Sequence, residues 1–161
     1  SGEGPPPGNQ LHLNNVFCDE TGMYLSGLKT AGMMRFDGRT LVRVARLPNG
    51  VHNARPFNGG VLFNDTPADR VRLLKPGQDI SFAVPAVDES KLTHTDLDDS
   101  RIARPGFGRG LCVVDEALIA AGSSPSTIAL HDLEQVKTVR VVGLTPDVRN
   151  AIHGLEVWPF D

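Results

Sequence analysis

The sequence predicts an all-β protein made of β-propeller blades: about three four-stranded antiparallel repeats plus one inner strand, forming part of a larger or oligomeric ring. Three observations predict it. A similar opening motif recurs four times along the chain. Each occurrence runs into a tight turn between two short apolar runs, which is the signal of a β-hairpin. No long stretch keeps a helical period, because Pro and Gly interrupt the chain every ten residues or so.

The repeats run as follows. The first opens with Leu11–Cys18, turns at Asp19–Gly22 and returns through Met23–Gly27. Its second hairpin is Gly32–Phe36, the turn Asp37-Gly38, and Leu41–Ala45, whose alternating Val and Arg suit an outer strand with one wet face. The second repeat opens with Val51–Phe57, turns at Asn58-Gly59, returns through Gly60–Asn64 and continues with Arg70–Leu74. The third opens with Gly108–Val114, turns at Asp115-Glu116 and returns through Ala117–Gly122. It continues with Ser126–Leu130 and Lys137–Val142. The fourth is the terminal run Ile152–Pro159. With His12, His52, Arg109 and His153 taken as equivalent, the starts lie 40, 57 and 44 residues apart, which brackets the length of a propeller blade. This places a flexible lead-in at 1–10 and blades near 11–50, 51–106 and 107–150, with a partial one at 151–161. The long second repeat requires an insertion, expected from Gln78 to Pro105. A β-sandwich would also accommodate strands at this spacing, and the recurrence of the opening motif is what favours the propeller.

Composition narrows the function. The chain has 161 residues, 40% of them hydrophobic and 22% charged, with 16 basic and 19 acidic side chains dispersed along it. No cationic face for nucleic acid or anionic lipid is expected. No apolar run has the length of a membrane span and the start lacks a secretory pattern, so a cytoplasmic setting is the expectation. Cys18 and Cys112 each sit in an apolar stretch, which suits two buried thiols better than a redox or zinc element. Phosphate-loop, nucleophile-elbow and HExxH patterns are absent from the sequence.

Three short motifs resemble the six-bladed propellers of the gluconolactonase-like and NHL-repeat type, and within them an uncharacterised bacterial family. They are His12-Leu13-Asn14, Phe107–Leu111 and His153–Pro159. In that group, the resemblance implies, metal is held by acidic and amide side chains, so a histidine-rich centre is a departure from it. Leu47-Pro48-Asn49-Gly50-Val51 is similar to a segment whose Asn approaches the metal there, although Pro-Asn-Gly is foremost an ordinary turn.

The first strand of each blade lines the channel, so the repeat starts project into one shared space. His12, His52 and His153, with Arg109 at the fourth place, are the constellation this singles out. The commoner role for such recurrent residues is hydrogen bonding to the next blade. The functional alternative is a divalent metal ion, zinc or another transition metal, on the three imidazoles. Asn14, Asn53 and Glu156 would then complete the site or bind substrate, with Glu156 as the candidate general base. Arg109, between Gly108 and Gly110, is a candidate for an anionic substrate group, and equally for a blade-to-blade ion pair. The insertion carries His94, Asp96, Asp98 and Asp99, a solvated surface or lid more than a metal cluster.

Two functions follow. The first is a binding or assembly protein with a histidine-lined channel site for a small-molecule ligand, completed by self-association or by another propeller-completing chain. The alternative is a metal-dependent hydrolase or lactonase-like enzyme. Because an open array leaves apolar faces and strand edges uncovered, three blades and one strand do not close a ring.

Overall fold

Short alternating runs punctuated by turns satisfy their backbone groups by pairing with one another. A computed structural model describes residue 8 and residues 10–97 and 104–160. The first sheet comprises β1 (Leu13–Asp19), β2 (Gly22–Gly27), β3 (Gly32–Phe36) and β4 (Leu41–Arg46). The second comprises β5 (His52–Phe57), β6 (Gly60–Asp65), β7 (Arg70–Lys75) and β8 (Gln78–Ala83). The third comprises β9 (Gly108–Val113), β10 (Leu118–Ser123), β11 (Thr127–Asp132) and β12 (Lys137–Gly143). Each is an antiparallel meander in chain order. Asn58 and Gly59 both take positive φ, 46° and 74°. That is the twist a two-residue hairpin needs, and it explains why Asn-Gly stands there.

Two expectations change. Gln78–Ala83 was expected to begin the insertion and is instead β8, paired with β7 through Lys75↔Gln78 around Pro76-Gly77. Its alternation is Asp79-Ile80-Ser81-Phe82, and Ile80 and Phe82 are the buried pair. The terminal run, expected as an inner strand, forms no ladder among the described residues. A strand is a paired state, and this segment has no hairpin partner in the described chain. It nevertheless lies against the third sheet, with Ile152 pressed so closely over Gly122 that a Cβ there would stand 2.3 Å from Ile152 Cγ2.

The second sheet is buried on both faces. Val61 and Phe63 point to the first sheet and pack with Tyr24, Met33, Val51 and Ala54. Leu62, between them, points the other way and packs with Leu73, Phe82, Leu111, Ile119 and Ala121. The two-residue period of β6 thus supplies both interfaces. β5 lies against both β1 and β9, so the first strands of the three sheets converge on one side. β4 and β12 form the far side, β12 exposed along its whole length. Their Arg43, Arg46, Lys137 and Arg140 are charges that discourage edge-to-edge pairing. Among the described residues no helix is long and apolar enough to cross a membrane.

Candidate functional site

Strand register decides which residues occupy equivalent places on the converging strands. The ladder pairs His52 with Asn64, four residues beyond Gly60 of its hairpin turn, and the residue four beyond Gly22 in the first sheet, Ser26, pairs with Asn15, so the ladder counterpart of His52 is Asn15 and not His12. In the second and third sheets the ladder skips two residues, Asn53 and Ala54 between His52 and Arg55, and Arg109 and Gly110 between Gly108 and Leu111, so Arg109 stands level with Asn53, one place on from His52. His52 and Arg109 nevertheless meet on the Phe107 ring, with His153 of the terminal run beside Arg109. His12 lies just before β1, exposed and at φ 47°, where its carbonyl accepts from Leu28 N at 3.1 Å.

Each member has defined partners. His52 is buried, and its Nδ1 lies 2.9 Å from Thr66 Oγ1. The Thr66 hydroxyl donates to Gly108 O at 3.0 Å, which assigns the His52 Nδ1 proton to the Thr66 bond. Burial, then the nearby positive charge of Arg109, push the His52 imidazole down to about 4, with smaller contributions from His12 and His153. Arg109 stacks over the Phe107 ring at 4.7 Å, and its guanidinium donates to His153 Nδ1 at 3.2 Å. The same ring meets His52 edge-on at 5.3 Å.

Deeper along the same strands, the asparagines stitch neighbouring sheets together. Asn14 Nδ2 donates to Val51 O at 2.9 Å, and Asn15 Nδ2 to Ala54 O at 2.8 Å. Asn53 Oδ1 accepts from Gly110 N and from Asn64 Nδ2, both at 3.0 Å. Between them opens a cleft of about 310 Å³, lined by Asn14, Asn15, Asn53, Arg55, His153 and Glu156 together with Phe17 and Leu111. Arg55 lies 4.1 Å over the Phe17 ring. Burial lowers the pKa of its guanidinium while the carboxylate of Glu156 acts in the opposite direction. Asn14 Oδ1 and Arg55 Nε are buried without a hydrogen-bond partner among the described residues.

Arg55, Asn15 and the platform Phe107 were not singled out as site residues by the sequence reading. The signal for Arg55 and Asn15 lay in their distance from the hairpin turn, which outranks the identity of the neighbouring histidine.

Among the described residues no group of three or more His, Cys, Asp or Glu side chains is placed to hold an ion. His52 Nδ1 and His153 Nδ1 are engaged with Thr66 and Arg109. Glu156 is exposed and accepts from Val157 N. In the insertion, Thr93 pairs with Asp147, and His94 Nδ1 reaches Asp147 Oδ2 at 3.3 Å, so this stretch is tied to the region after β12. Asp96 is exposed, and Asp98 and Asp99 lie outside the described residues, as do most of the lead-in positions. Asn49 and Gly50 form the expected turn, with Gly50 at φ 86°. Cys112 is buried as expected, whereas Cys18 is exposed, and both are free thiols.

No family model matches the chain, and no curated protein sequence matches it. A solved structure does, the crystal structure of the WD40 beta propeller domain of Doa1. It has a TM-score of 0.51 and 14% identity, over 78% of this chain and 38% of that one. The fold is a β-propeller. The three sheets are its blades, and the converging strands β1, β5 and β9 are the inner ones. At this identity the likeness carries the fold alone, and the chain spans little more than a third of the length of that structure.

Proposed function

We propose that this propeller chain is a binding and assembly protein whose channel-side cleft takes a small polar ligand. The observation that supports it is the cleft itself. Inner strands from all three blades and the terminal run line it with amides, one cation and one carboxylate. Buried polar atoms without a protein partner are costly, and Asn14 Oδ1 and Arg55 Nε mark the wall where a ligand would satisfy them. Its volume matches the small end of ligand pockets. The alternative reading, a metal-dependent hydrolase, needs a donor set, and among the described residues no group of three or more His, Cys, Asp or Glu side chains is placed to hold an ion. The motifs at 12–14, 107–111 and 153–159 support placing the chain with gluconolactonase-like and NHL-repeat propellers.

A thermal-shift screen of small polar metabolites tests this. The expected result is a ligand that raises the unfolding midpoint and binds Glu156→Gln and Arg55→Gln at least tenfold more weakly. A hit indifferent to both substitutions would place binding elsewhere and defeat the reading.

The assembly half rests on blade one. Its face turned away from blade two carries Val16, Leu25 and Met34 across one row and Cys18, Met23, Phe36 and Leu41 across the next. Val16 is 59% exposed and Leu41 50%. Such rows are buried between the other blades, so a further blade supplied by self-association or by another chain is the natural cover.

A further inference from the structure

We propose that the channel mouth beside His153 binds an oxyanion, a carboxylate or a phosphate group, on the Arg109 guanidinium. The inference rests on the cleft being a ligand site and names the charge that its ligand carries. Two features of Arg109 lead to it. Among the described residues its guanidinium has no carboxylate within ion-pair distance, whereas Arg72, Arg104 and Arg149 all have one. It is held in place all the same, stacked on Phe107 and bonded to His153, so little side-chain freedom remains to be lost on binding.

The neighbours do not compete for an anion. His52 gives its Nδ1 proton to Thr66 and is neutral near pH 7, because burial and then the charge of Arg109 hold its pKa down to about 4. His153 accepts from Arg109 through Nδ1, which leaves the Nε2 proton as a second donor next to the guanidinium. Glu156, the carboxylate of the cleft, acts on Arg55 and Cys112. A planar fork with an adjacent imidazole N–H suits the oxygens of a carboxylate or phosphate better than a neutral group. His153 lines the cleft and also bonds Arg109, so the anionic end of a ligand would sit at Arg109 and its polar body in the cleft.

Inorganic phosphate and acetate, each titrated at constant ionic strength against the whole chain by calorimetry, test the proposal. The expected result is saturable binding of at least one. Arg109→Gln should weaken it tenfold or more, Arg109→Lys should weaken it less, and Arg140→Gln on the exposed outer strand should leave it unchanged. Preference for phosphate or for acetate identifies the group. Saturable binding that survives in both Arg109 variants, or no saturable binding of either ion to the wild-type chain, overturns the proposal. Either ion is much smaller than the cleft. Failure here therefore leaves a neutral cleft ligand standing, and failure of the metabolite screen leaves a phosphate or acetate result standing.

Discussion

His52 and His131 are imidazoles placed where protonation is costly. His131 is fully buried, stacked on Phe82 at 4.6 Å and bonded through Nδ1 to Thr138 Oγ1 at 3.0 Å. Burial pushes it, like His52, down to about 4. Between that pH and the ordinary imidazole value near 6.5, the unfolded chain binds protons that the folded chain does not. Stability is therefore fully present above the upper value and lost as pH falls towards the lower one. Urea unfolding at pH 7.5 and pH 5 should show a loss on the order of 2 kcal/mol for each histidine. In His131→Phe about half of that pH dependence should disappear, and an unchanged pH dependence would refute the buried neutral state. Asn53 makes a second case at this scale, because it combines a left-handed backbone with two hydrogen bonds that reach β6 and β9. Asn53→Ala should cost about 2–4 kcal/mol and Asn53→Gly about 1 kcal/mol less, since glycine removes the backbone strain but not the lost bonds. Equal losses in the two variants would show that the backbone conformation contributes nothing.

The critical element is β6. Val61 and Phe63 belong to one inter-blade core and Leu62 to the other, so a single strand holds blade two to both neighbours. Leu62→Ala should destabilise the chain by about 2–5 kcal/mol, measured by denaturant unfolding, through the cavity it opens between blades two and three. Loss below 1 kcal/mol would mean that blades two and three are not packed through this residue. The hairpins of β1–β2 and β5–β6 were readable because a turn and its flanking alternation are local signals, as at Asn58-Gly59. β8 was overlooked for the opposite reason. Its Ile80 and Phe82 are separated by polar residues and follow a Pro-Gly turn, and only the core between blades two and three shows what they pack against.

Across the whole molecule, the arrangement leaves blade one with an apolar face and the terminal run with Trp158 and Phe160 exposed against each other at 5.1 Å. Sedimentation over a range of concentrations should show self-association, and Val16→Lys with Met23→Lys should shift the chain towards the monomer without loss of β-sheet circular dichroism. A chain that stays monomeric at high concentration would leave another partner as the cover for that face.

The all-β class, the blade-length repeat and most hairpins were determined by the sequence alone, because they depend on residues a few positions apart. Which side chains share a layer was decided by tertiary structure. Cross-strand pairing sets Asn15 rather than His12 level with His52, and the packing of three blades brings Arg55 and Glu156 to one cleft. A shift of one residue in register reverses the face of every side chain on a strand, and the identities of the residues do not by themselves reveal that shift.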